Sequence, residues 1–150
     1  MSNLESSFKY LFSEVFKNNG DVSKIPEKLK KTQIKCFVKE SYPYFLVTDD
    51  FFYVPIYFTK KAVDSFKSKF SNVNITDLKS QVIVITEWHL ELTQVNSSNI
   101  FTSYAGIELK LIASSFKIDN SKKISLTRQP INIYRDNEIK TLINQFIYDN

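Results

Sequence analysis

Glycine is nearly missing from this sequence, with two in 150 residues. That excludes the phosphate-cradling loops and nucleophile elbows whose backbone needs glycine at fixed spacings. Histidine, cysteine and tryptophan occur once each. A lone cysteine, Cys36, closes no internal disulfide and fits a reducing compartment. The one histidine, His89, lies between Glu87 and Glu91. It reads as a surface imidazole, because metal sites need clustered ligands. No apolar run approaches the ~20 residues of a membrane span, and the first residues lack the basic-then-apolar pattern of a signal peptide. Neither catalysis, a cofactor, a metal nor a membrane is expected. A binding protein remains.

Aromatic residues are what the sequence has in plenty, with 13 Phe and 8 Tyr. Hydrophobic residues make up 43% and charged residues 24%, as in an ordinary globular protein, and the length suits a single domain over 1–150. The net charge of +4 permits contact with nucleic acid. Its lysines are scattered among acids, however, so the isolated domain is expected to hold nucleic acid weakly or not at all.

The chain is organised around residues 44–70. An apolar run at 44–47 turns at Asp49 and Asp50, and a second run at 51–58 is rich in aromatic and β-branched residues. Thr59 then caps a short helix whose Ala62, Val63, Phe66 and Phe70 share one face. Upstream, 32–38 alternates with Ile34, Cys36 and Val38 on one side, which makes Cys36 a buried small hydrophobe. Downstream, 81–92 is a strong strand that ends in clean alternation, placing Trp88 and Leu90 in the core. A last strand, 107–118, sets Leu109, Leu111 and Ala113 on one face. Three strands, a helix and two more strands is the order of a five-stranded Greek-key barrel of the OB type.

The flanking segments complete that frame. Residues 3–17 form an amphipathic helix stopped by Asn18, Asn19 and Gly20, and 21–31 is a polar connector whose Lys28, Lys30 and Lys31 read as an exposed linker. Pro43 marks a turn, and Pro55 marks an edge or a bulge in the third strand. The connector 71–80 is anchored by Val73 or Ile75 and by Leu78, 96–106 is a long loop, and 119–130 is a polar crossing. Asp136 caps a final helix with a stripe of Ile139, Leu142, Ile143 and Phe146, and Ile147 and Tyr148 give that helix a second apolar side suited to docking. In an OB barrel, exposed aromatics bind single strands by stacking. Tyr42, Tyr44, Phe52, Tyr53 and Tyr57 are the candidates, although a barrel also needs aromatics in its core.

The order of parts resembles the OB domain of the telomerase-recruitment and accessory subunits. These comprise the shelterin recruitment subunit, the yeast telomerase accessory subunit and a ciliate telomerase holoenzyme subunit. The likeness runs from LESSFKYLFSEVF through LVTDDFFYVPIYFTKKAV, KSQVIVITEWHLEL and GIELKLIASSFKI to NIYRDNEIKTLINQFI. It implies a non-catalytic nuclear, telomeric subunit that docks on telomerase reverse transcriptase and on other OB-fold telomere proteins. It further implies a docking surface beside the short helix and the start of the fifth strand, made of Asp64, Lys67, Ser68, Asn72, Asn74, Asp77 and Glu108. Lys67 and Lys69 stand where the resemblance leads one to expect acids. The alternative is a small OB subunit of a replication protein A-like or CST-like trimer that binds single-stranded DNA through Tyr42, Tyr44, Tyr53 and Tyr57.

Overall fold

The turn at Asp49 sets the register of the central hairpin, and its chemistry is local. The Asp49 carboxylate accepts the backbone N–H groups of Phe51 and Phe52, each at 3.1 Å, while the Thr48 hydroxyl donates to the Phe52 carbonyl at 2.8 Å. Asp50 takes the positive φ, +85°, that a tight reversal needs and that aspartate tolerates. The computed structural model describes residues 7–96, 99–119 and 128–150. In it the turn joins β2 (Leu46–Thr48) to β3 (Phe52–Phe58). β1 (Ile34–Glu40) pairs antiparallel with β2 on one side and with β4 (Val82–Gln94) on the other. β4 runs antiparallel to β5 (Ile107–Ile118), and β5 returns parallel to β3, with Ile56 opposite Leu111. Because β2 and β3 also pair, the order β1-β2-β3-β5-β4 closes on itself. This closed order is that of the expected OB barrel. A two-residue strand, β6 (Ile131–Asn132), adds parallel to the start of β3 and was not foreseen.

Inside the ring, Cys36, Val38, Val47, Val54, Ile83, Ile85, Leu109, Leu111 and Ala113 are buried. Pro55 pairs with Leu46 on one side, and on the other it falls between the β6 pairing at Tyr53 and the β5 pairing at Ile56. A residue without an N–H fits that gap. The register of β4 shifts around Glu87, so odd positions Ile83 and Ile85 point inward before the shift and even Leu90 after it. Trp88 sits at that irregularity. It is partly buried against the core, not within it as expected, and its indole N–H donates to the Thr32 carbonyl at 2.8 Å. An indole needs such a partner, which the barrel interior lacks.

Helices close the barrel. α1 (Ser7–Lys17) buries Phe8, Leu11, Phe12 and Val15, while a short α2 (Glu27–Lys30) and a 3-10 turn at Val22–Lys24 lie within the polar connector 21–31. α3 (Lys60–Lys69) begins where the Thr59 hydroxyl accepts the Ala62 N–H at 3.2 Å. It packs Phe66 on Phe116 at 5.8 Å. Phe70, expected on the packed face, is 41% exposed, because the helix ends one residue earlier. α4 (Asn137–Asp149) starts at Asp136, whose carboxylate accepts the Ile139 N–H at 3.1 Å. α1 and α4 lie together. Phe12 meets Tyr134 and Phe16 meets Phe146 edge to face, and Lys9 bridges to Asp136 and Glu138 at 3.3 and 3.1 Å.

Gly20 stops α1 at φ +77°, and a Cβ there would stand 2.5 Å from a Phe146 ring carbon and 2.8 Å from a Leu92 methyl. Gly20→Ala therefore combines left-handed strain, about 1 kcal/mol, with overpacking of roughly 1–3 kcal/mol. Equilibrium denaturation should register the sum. An unchanged midpoint would contradict the packing of Leu92 and Phe146 over this turn.

Candidate functional site

Alternation along β3 sends Val54 and Ile56 inward, which leaves Tyr53 and Tyr57 on the outer face of the barrel. Each meets a lysine, Tyr53 one from β1 and Tyr57 one from the adjacent β5. The Lys39 ammonium lies 4.9 Å from the Tyr53 ring centroid, and Lys110 lies 5.1 Å from that of Tyr57. Beside them the connector 41–45 carries Tyr42, 79% exposed, and Tyr44. Tyr44 faces Phe101 of the β4–β5 loop, with ring centroids 6.1 Å apart and planes 31° from parallel.

That loop is held by its own polar groups. The Asn99 side chain accepts the Phe101 N–H at 2.9 Å and donates to the Tyr44 hydroxyl, while the Asn99 carbonyl accepts the Ser103 N–H at 3.0 Å. Asn132 then ties the Ile100 carbonyl to β6 at 2.7 Å. Phe101 and Ile100 are exposed at its tip. The sequence reading missed both, and the available signal was two large apolar residues adjacent in an otherwise polar loop.

Glu108 requires a correction. Expected beside α3 on a solvent-facing docking surface, it is 5% exposed and accepts the Tyr57 hydroxyl proton. α3 begins beside the middle of β5, where the Thr59 N–H reaches the Ala113 carbonyl at 3.0 Å, and packs toward the far end, Phe66 on Phe116. Five residues of strand, about 16 Å, separate the two places. Burial first, and then the Glu108 carboxylate, push the Tyr57 phenol well above its ordinary value, so it remains a donor.

The other expected docking residues divide by role. Asp64, Lys67 and Ser68 are exposed on α3, with Asp64 bridged to Lys60 at 2.9 Å, and Asn72 is exposed just beyond. Asn74 and Asp77 are also exposed, but their side chains form a reciprocal cap on the turn Ile75–Leu78, with Asp77 accepting the Asn74 N–H at 3.0 Å. Ile147 and Tyr148 stand clear of the barrel on α4. Phe52, weighed as a stacking residue, is buried. His89 is exposed and contacts Glu91 at 3.1 Å. Burial pushes the Cys36 thiol upward, which leaves it a poor nucleophile. Among the described residues no cluster of His, Cys, Asp and Glu is arranged to hold a metal, and no helix is long and apolar enough to cross a membrane.

What assembles is thus an outer barrel face of tyrosines, a loop phenylalanine and two lysines. Aromatic faces that stack on bases, beside cations that meet phosphates, suit a single nucleic-acid strand.

The family model for the telomere-binding protein beta subunit (TEBP beta) matches residues 17–150. The chain is 54% identical over 142 residues to the telomere-binding protein subunit beta of Sterkiella nova, covering 95% of this chain and 37% of that protein. Identity to the subunit beta of Stylonychia mytilus is 52% over 142 residues, again covering 95% of this chain and 36% of that protein. The chain therefore spans little more than a third of the length of these relatives. Among solved structures, the Est3 telomerase subunit of the yeast Hansenula polymorpha is similar at a TM-score of 0.57 and 15% identity, over 77% of this chain and 76% of that one. At that identity the likeness is one of fold.

Proposed function

Because the chain belongs to the telomere-binding protein beta subunit family, we propose that it is a non-catalytic OB domain that holds single-stranded DNA at the telomere, in the nucleus. One observation carries this reading, namely the outward Tyr53 and Tyr57 of β3, met by Lys39 and Lys110 respectively, next to the Tyr44–Phe101 pair. The strand 2–3 face and the β1–β2 and β4–β5 loops are where OB barrels take oligonucleotides. Duplex DNA hides its base faces and offers nothing for these rings to stack on. The face supports firmer nucleic-acid contact than scattered lysines alone suggest.

A second reading, docking on telomerase reverse transcriptase or on other OB-fold telomere proteins, has its support in the uncovered Ile147 and Tyr148 of α4. Asp64, Lys67, Ser68 and Asn72 offer it a polar surface. Buried Glu108 and the capping pair Asn74 and Asp77 have other work.

Fluorescence anisotropy with a labelled single-stranded telomeric oligonucleotide, and with its duplex, tests the first reading. Single strands should bind more tightly. Lys39→Ala and Lys110→Ala should each weaken binding and reduce the slope of log affinity against log salt by about 0.7, the value for one phosphate on a single strand. Equal binding of the duplex, or slopes untouched by both changes, would remove this face from consideration.

A further inference from the structure

We infer that Glu108 is a positioning residue for the nucleic-acid interface, fixing the ring of Tyr57 by accepting its hydroxyl proton. This rests on the single-strand reading above. The strand register shows how the hold works. Tyr57 is opposite Ile112 in the β3–β5 pairing, whereas its ring lies by Lys110 and its hydroxyl reaches Glu108. The side chain is therefore laid along β5, passing one outward-facing residue and ending at the next. A tyrosine held only at its Cβ has other staggered χ1 settings, and an anchor at the far end of the ring selects one of them.

The chemistry of Glu108 fits an anchor better than a contact with the ligand. A carboxylate on a face that receives a polyanion opposes binding if it meets phosphate. Glu108 avoids this by being buried, and among the described residues it is the buried ionisable acid of the outer face. A buried carboxylate has to be partnered, and the phenol supplies the donor. The Thr93 hydroxyl donates to the Glu108 backbone carbonyl at 3.3 Å, which holds this end of β5 from its other side. The Tyr57 phenol, raised by burial and by the carboxylate, stays protonated and able to donate.

The test compares Glu108→Gln, Glu108→Leu, Tyr57→Phe, Tyr57→Ala and the Glu108→Leu, Tyr57→Phe double variant. Each is assayed on the full chain by anisotropy with the single-stranded telomeric oligonucleotide, next to a thermal melt. Glutamine keeps an acceptor and should bind within about twofold of the parent. Leucine removes the acceptor and should cost about tenfold, part of what a stacked base contributes. Tyr57→Phe removes the same hydrogen bond from the other side, so it should match Glu108→Leu, and the double variant should lose no more than either.

Several outcomes overturn the inference while leaving the interface reading in place. Tighter binding by both Glu108 variants would make the carboxylate a mere like charge. Equal losses with Gln and Leu would mean that Glu108 touches the strand itself. Additive losses in the double variant would separate the two residues. Parental affinity in a well-folded Glu108→Leu protein, while Tyr57→Ala binds poorly, would leave the interface standing without its anchor. Parental affinity in Tyr57→Ala is a different failure, since it removes the interface reading and this inference with it. If Glu108→Leu fails to fold, Tyr57→Phe decides alone, and full affinity there overturns the anchor.

Discussion

Tyr134→Ala should lower the unfolding free energy by roughly 3–5 kcal/mol, the range for removing a large buried aromatic. Tyr134 is 2% exposed and stands between the helices and the barrel. Its ring meets Phe12 of α1 at 5.7 Å, and its hydroxyl accepts the Leu109 N–H at 3.0 Å and donates to the Leu109 carbonyl at 3.3 Å. Truncation removes the packing and leaves both backbone groups of a buried residue without this partner, a cost of its own. Tyr134→Phe isolates the second part and should cost about 1–3 kcal/mol. Urea denaturation followed by circular dichroism measures both, and hydrogen exchange at the Leu109 amide should quicken in each variant. An alanine variant with an unchanged midpoint would show that α4 is not secured to β5 through this side chain.

Features written in adjacent residues were legible from sequence, and features made by distant pairing were not. The Asp49–Asp50 turn and the Thr59 and Asp136 caps each depend on side chains reaching backbone a few residues away, so type and spacing suffice. The resemblance puts Glu108 on a docking surface, exposed as an acid ordinarily is. Its burial depends on a parallel β3–β5 register that brings Tyr57 across from 51 residues away. Trp88 shares the inward parity of Leu90, but it stands directly at the shift in β4 register, where its indole reaches out to the Thr32 carbonyl from 56 residues away. The stacking candidates Tyr44 and Tyr57 were visible as residues. Their grouping was not, because Phe101 and Lys110 reach them from beyond the helix and from the fifth strand. Asn74 and Asp77, three apart, carried a capping pattern, although the resemblance assigned them to a docking surface.

Tyr44→Ala combined with Tyr57→Ala should weaken single-strand binding by about 2–6 kcal/mol, because each stacked base contributes roughly 1–3 kcal/mol. At about 1.4 kcal/mol per tenfold, the smaller figure is already near 30-fold. Tyr57→Ala also leaves Glu108 buried without its phenol, so the melt should fall by an amount measured separately, and binding should be assayed well below it. What distinguishes this loss from that of the lysine variants is its salt dependence. Stacking releases no counterions, so affinity should drop at every salt concentration while the slope of log affinity against log salt stays at the parental value. Lys39→Ala and Lys110→Ala should instead flatten the slope. A double tyrosine variant that binds within twofold of the parent would move the strand off this face. One that loses affinity only by flattening the slope would mean that the rings serve to hold Lys110 in place and meet no base.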